Sequence, residues 1–370
     1  MKKLIITSLS VFLLILLPAA GIILSGGDII RYTGFPPAAG YVEHPPFSWA
    51  VFIILAGFIF FVLLHPVIHI IRSGSAVKPV GSYPFPWWGY AGVCTGLLSW
   101  IVAWTRLPLL HELQRWTFLP LWLSYIIIVN ALCVRRTGSS LLTGRRGYYL
   151  ALFPLSALFW WVFEYLNRFT ANWYYTGTGS LAPMRYFLEA TLAFSTVLPA
   201  VMATAELVKS YPRLYSGSGS YIRLRPRNVR ATAFITIIIS GISLFFTGIY
   251  PEWLFPLLWV SPAVLLISMQ VLAGDDSVAD GIGSGDWRAV AVYSLAALIC
   301  GFFWEMWNIE SMARWRYSIP FVHGFKLFEM PLLGYAGYLP FGIECAVVAG
   351  IISGRGEEPW RTGYLPSCNR

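Results

Sequence analysis

Apolar residues in this chain run on in blocks instead of alternating with polar ones. A helix needs about 20 apolar residues to cross a hydrocarbon core roughly 30 Å thick. Blocks of that kind lie near 4–24, 48–71, 88–105, 117–134, 148–167, 186–208, 231–249, 254–273, 289–308 and 328–351. The links between them are short and rich in Gly, Pro and Ser, as turns require. The pattern predicts an all-α polytopic membrane protein with about 10 transmembrane helices. No link is long enough for a separate soluble domain. The longest polar one, 209–230, centres on Ser216-Gly217-Ser218-Gly219-Ser220, the composition of a flexible linker. The first block follows Lys2-Lys3 and continues to Leu24. It is longer than the apolar core of a signal peptide and is expected to stay as an anchoring helix.

Composition agrees. Charged residues make up 12% of the chain, hydrophobic ones 57%, and mean hydropathy is +0.65, against roughly 25% charged in a soluble domain. The 17 Trp and 20 Tyr suit many membrane–water interfaces. The net charge of +9 marks cytoplasmic loops, not nucleic-acid binding. With both termini cytoplasmic, 18 Lys and Arg fall inside and 8 outside, the asymmetry expected of a protein of the cell membrane. Arg223, Arg225, Arg227 and Arg230 would touch anionic lipid. Five cysteines, four of them in apolar blocks, form no disulfide framework or metal pattern.

The chain resembles itself. The fifth block ends Phe163-Glu164-Tyr165-Leu166-Asn167, followed by Trp173-Tyr174-Tyr175. The ninth ends Trp304-Glu305-Met306-Trp307-Asn308, followed by Trp315-Arg316-Tyr317. An acidic residue opens each next block, Glu189 and Glu329, and a Leu-Pro comes after it, Leu198-Pro199 and Leu339-Pro340. Glu164 to Pro199 and Glu305 to Pro340 are each 35 residues. This order predicts two four-helix units of one orientation, 88–208 and 231–351, joined by the basic linker 209–230. Two N-terminal helices (1–87) precede them, and a cytoplasmic tail (352–370) ends the chain.

Carboxylates within a bilayer are costly and must face protein or water. Glu164, Glu189, Glu305 and Glu329 are therefore the candidate catalytic groups. Asn167, Asn308, Trp173, Trp315, Tyr175, Tyr317 and His323 are the candidate substrate-binding residues around them. Glu164 and Asn167 share a helix face, as do Glu305 and Asn308, and all are expected near the outer ends of their helices. The alternative is structural: helix ends anchored by aromatics, with Arg168, Arg185, Arg314, Arg316 or Lys326 neutralising the acids. Asn is a poor ligand for soft metals and the repeat holds no His, so no metal site is assigned. No cofactor is required. His65 and His69 share a face one turn apart and have no evident partner. Glu344 lies deeper in the last block, has no counterpart in the first unit, and is the least explained charge.

The run Trp304-Glu305, Trp315-Arg316-Tyr317, Gly324 and Phe328-Glu329-Met330-Pro331-Leu332 resembles the small membrane-embedded lycopene cyclase domains of carotenoid synthesis. Leu333-Gly334 stand where that family has two Glu. The resemblance implies paired helical units and an apolar substrate entering from lipid. Three readings stay open. One is an intramembrane enzyme acting on a lipid or isoprenoid by carboxylate acid/base chemistry. The others are a proton- or cation-coupled transporter or channel, and a structural or assembly subunit. The partners expected are membrane lipids and a hydrophobic small molecule; the oligomeric state is open.

Overall fold

The computed structural model describes residues 2–72, 81–105, 108–178, 181–354 and 356–360. Lys78, Arg106, Arg355, Arg361 and Arg370, all used in the charge count, lie outside these residues, as does Cys368. Eleven helices carry the architecture: α1 Lys2–Leu24, α2 Trp49–Arg72, α3 Trp87–Trp104, α4 Phe118–Thr137, α5 Arg146–Thr170, α6 Pro183–Phe194, α7 Val197–Lys209, α8 Val229–Thr247, α9 Leu257–Ala273, α10 Arg288–Asn308 and α11 Tyr338–Ile351. Among the described residues eight stretches are long and apolar enough to cross a membrane, with α6 and α7 together making one and α11 extended back to Leu332 by a 3₁₀ turn. The chain is a multi-pass membrane protein. The other two apolar blocks form α3, with four Trp in its 18 residues, and α9, with 17 residues.

The core is the contact of α4, α5, α7, α10 and α11. Small residues bring these helices close, as lipid-embedded helices require. Gly342 of α11 lies against the backbone of α10, where an added Cβ would stand 2.0 Å from the Tyr293 carbonyl oxygen. Between α4, α7 and α10 the Tyr125 and Thr204 hydroxyls hydrogen-bond at 2.9 Å, and the Cys300 thiol lies 3.4 Å from Thr204. Helix α1 packs into the bundle: Leu14 is buried with Leu244 and Leu265, and Gly21 abuts the Phe245 carbonyl.

Helix α2 differs from the rest. None of its residues is buried. It touches the bundle chiefly at two turns, Ser216–Ser220 and Leu332–Gly337, and near its start, where Val51, Phe52 and Leu55 pack on Phe255, Ile319 and Val322. Between these contacts it stands away from the bundle.

Two expectations need correction. The 209–230 segment is no flexible linker. Gly217 and Ser218 are buried, and Tyr221 and Leu224 donate backbone hydrogen bonds to Gly285 and Ile282 while Trp287 bonds back to Ser218 and Ile222. The close approach falls on the facing segment, where a Cβ on Gly285 would stand 2.6 Å from the Tyr221 carbonyl oxygen. The tenth block, in turn, does not open as a helix at Glu329. Residues Lys326–Leu327 and Met330–Pro331 form a tight hairpin, and the helix proper starts at Tyr338.

Candidate functional site

Two hydrogen-bonded cages form where α5 and α10 end. At the end of α5 the chain turns through Ala171, which has a left-handed φ of 47°. The reversal brings the next two residues onto the Asn167 side chain. Its Oδ1 accepts from the backbone N–H of Asn172 (2.9 Å) and Trp173 (3.3 Å), and its Nδ2 donates to the Trp173 carbonyl (2.7 Å). The strand β1, Trp173–Thr176, then points alternate residues to one side. Trp173 and Tyr175 thereby meet Glu164, donating to its Oε1 at 3.0 and 2.6 Å. Trp160, one helical turn before Glu164, donates a third bond at 2.9 Å.

The end of α10 repeats the device. Asn308 Nδ2 donates to the Trp315 carbonyl (2.8 Å), and its Oδ1 accepts from the Trp315 N–H (3.0 Å). Strand β2, Arg314–Tyr317, presents Trp315 and Tyr317 to Glu305 Oε1 at 3.4 and 2.7 Å. The third donor comes from elsewhere: the Tyr338 hydroxyl, at 2.8 Å. Gly301 stands one turn before Glu305, where the first cage has Trp160. Tyr338 is the first residue of α11, and Val197 is the first of α7. A Cβ on Gly301 would lie 2.4 Å from the Tyr338 ring, so the missing side chain is what admits the phenol.

Both carboxylates are fully buried, and the second oxygen of each, Oε2, has no hydrogen-bond partner among the described residues. Burial first, and then the neighbouring carboxylate, hold the Tyr175 and Tyr317 phenols well above their ordinary pKa. Each therefore stays a hydrogen-bond donor. The two strands pair antiparallel, Trp173 with Tyr317, Tyr174 with Arg316 and Tyr175 with Trp315, so one ribbon carries the donors of both cages.

The cages adjoin a cavity of about 1430 Å³. Its walls include Trp160, Trp173 and Tyr175 from the first cage and Trp315, Tyr317 and Tyr338 from the second. Helix α2 closes one side with a stripe from Leu55 to Ile71 at helical spacing. The lining is predominantly apolar; its polar members include Gln114, Arg115, Asn172, Tyr186, Glu189 and Ser218.

The remaining candidates fall in different places. Asn167 and Asn308 give their amides to the backbone. Glu189 sits within α6, not at a helix start, and joins Arg185 at 2.8 Å and Arg115 at 3.5 Å. Glu329 occupies the hairpin turn, with Lys326 at 4.0 Å. His323 is exposed against Phe47 and does not line the cavity. None of the five basic residues considered as counter-charges pairs with Glu164 or Glu305. Arg168 donates to the carbonyls of Tyr32, Gly34 and Pro36, and Arg314 to that of Ile309. Neutral indoles and phenols satisfy the acids instead. Glu344 is fully buried, and among the described residues neither of its carboxylate oxygens has a hydrogen-bond partner. His65 accepts or donates one bond, to the Tyr221 hydroxyl at 2.7 Å. Two members of the cages went unread in the sequence: Tyr338 carried no signal, whereas Trp160 was discoverable four residues before Glu164.

No family model, curated protein or solved structure matches this chain.

Proposed function

We propose that this protein is an intramembrane enzyme acting on a lipid or isoprenoid, with Glu305 as its proton donor and acceptor. The observation that carries the reading is the cavity: large, apolar, and walled by the same side chains that donate to the buried carboxylates. Ligand sites are characteristically apolar enclosures with few polar groups. Proton transfer runs through the wall. With Glu305 protonated, a phenol of the wall, Tyr338 or Tyr317, turns its O–H to a substrate double bond and takes the Glu305 proton as it gives up its own, so that no phenoxide forms. Ring faces around the cavity stabilise the positive charge that forms. The product leaves when a proton returns to the same pair.

The first cage is less suited to that task. Two of its three donors are indoles, far weaker acids than a phenol, and only Tyr175 could carry the proton. Glu164 is assigned a positioning role, holding the ribbon in place. The units 88–208 and 231–351 are read as a parallel repeat. The ribbon register supports this, being symmetric about the Tyr174–Arg316 pair, and so do the matching Asn clamps. Superposing the units by a near half turn is expected to bring Glu164 onto Glu305, Asn167 onto Asn308 and Trp173 onto Trp315; a mismatch of the Glu pairs would end the repeat.

Mass spectrometry of lipid extracted from the purified protein tests the function. A long apolar molecule should be retained, and Leu298→Trp, which fills the cavity wall, should reduce its yield several-fold. Recovery of bulk membrane lipid alone, unchanged by that substitution, would contradict the reading.

The orientation, with termini in the cytoplasm of a cell-membrane protein, rests on the Lys and Arg asymmetry. In a Cys94→Ser background, Glu43→Cys should react with an impermeant thiol reagent on intact cells. Ser284→Cys should react only after permeabilisation. The opposite pattern inverts the topology. Ser218 is buried and is not a usable probe.

A further inference from the structure

We propose that the cavity takes an anionic amphiphile, a long chain ending in a phosphate that Arg115 holds at the outer end. The proposal rests on the reading that the cavity admits a lipid-class molecule, and it names that molecule's head. Arg115 and Glu189 both line the cavity. Glu189 binds Arg185 more closely, at 2.8 Å, than it binds Arg115, at 3.5 Å. Among the described side chains two guanidinium groups thus share one carboxylate, leaving one surplus positive charge. The Arg115 side chain is only 21% exposed. A half-neutralised cation at the mouth of an apolar enclosure is costly unless an anion completes it. A guanidinium fork matches phosphate in shape and charge.

A second, independent observation points to a ligand here. Asn172 is 2% exposed, lines the cavity, and its Oδ1 has no hydrogen-bond partner among the described residues. The Tyr186 hydroxyl, also on the cavity wall, is equally without one. Tyr186 lies one turn before Glu189 on α6, and its ring is 6.2 Å from that of Tyr175. The Tyr186 hydroxyl would donate to a phosphate oxygen, and Asn172 Oδ1, an acceptor, would take the O–H of a singly protonated phosphate or of a hydroxyl the head carries. From there the stripe on α2 runs from Leu55 to Ile71, about 24 Å at 1.5 Å per residue. That is a wall for a long chain, not for a small anion.

The test measures binding of three probes to the full-length protein in neutral detergent, by native mass spectrometry: a long-chain alkyl phosphate, the alcohol of the same chain, and inorganic phosphate. The alkyl phosphate should bind at least tenfold tighter than the alcohol. Arg115→Gln should bring it down to the level of the alcohol and leave the alcohol unchanged. Arg115→Lys, which keeps the charge and loses the fork, should fall between. Equal binding of alcohol and alkyl phosphate, or no effect of Arg115→Gln, overturns the phosphate head while leaving the apolar cavity reading intact. Inorganic phosphate binding as tightly as the alkyl phosphate overturns the amphiphile in favour of a free anion. Failure of both chain-bearing probes to bind removes the cavity reading, and this proposal with it.

Discussion

Glu305→Ala is expected to destabilise the protein by about 3–5 kcal/mol, and Glu305→Gln by only about 1 kcal/mol. The carboxylate oxygen accepts three bonds, from Tyr317, Tyr338 and Trp315. Alanine strands all three donors in a site closed to bulk water, and each unsatisfied donor costs about 1–3 kcal/mol. Some of that loss is recovered where the phenols turn toward the cavity. Glutamine keeps an acceptor oxygen in place, and its new amide replaces an oxygen that has no partner. What glutamine removes is the exchangeable proton. Denaturation followed by circular dichroism measures the first effect, and the lipid recovered from the purified variant measures the second. The enzymatic reading expects Glu305→Gln to fold and to retain unconverted substrate. A variant that is stable and recovers the same species as the native protein removes the acid/base role. A glutamine variant losing several kcal/mol makes the charge itself structural. The same substitution at Glu164 is expected to leave conversion intact.

Hydropathy blocks placed the helices because a bilayer permits few alternatives: every backbone polar group must be satisfied within the span. The Glu-x-x-Asn spacing located both cages for a similar reason, since unpaired carboxylates and amides at that depth need partners. What each partner does was not legible. Asn167 was read as a substrate ligand, yet the left-handed turn at Ala171 brings the adjoining backbone onto its amide, and such reversals are invisible in one sequence. Glu329 read as a helix start because the apolar block begins at Phe328, but the hairpin at Lys326–Pro331 takes up that length. The counter-charge alternative held for Glu189, paired with Arg185, and for Glu329, beside Lys326; it failed for Glu164 and Glu305, since Arg168 is turned to the loop at Tyr32 and Pro36, far along the chain from its own helix. Gly-Ser composition misled at 216–220 because glycine favours both freedom and close packing, and only the docking at Gly285 and Trp287 decides between them.

The exchange of the third donor gives a prediction that separates folding from chemistry. Gly301→Trp alone is expected to cost 3 kcal/mol or more on the order-of-magnitude scale for overpacked cores, because even a Cβ at that position meets the Tyr338 ring at 2.4 Å. Tyr338→Val alone is expected to cost about 3 kcal/mol, from the void left beside Trp304 and the loss of one donor to Glu305. Combined, the two changes copy the first cage, in which Trp160 donates from one turn before the acid and Val197 opens the last helix. The valine vacates the space the indole needs, and the indole N–H replaces the lost hydroxyl. The double variant should therefore be more stable than either single one, with a favourable coupling of about 2 kcal/mol or more in a double-mutant cycle. Additive costs would mean that the two cages are not built on one plan. If the plan is shared, the repaired cage still lacks the Tyr338 phenol. It should hold Glu305 and the ribbon as the first cage holds Glu164, bind the apolar molecule, and convert it more slowly, with Tyr317 as the only phenol left to carry the proton.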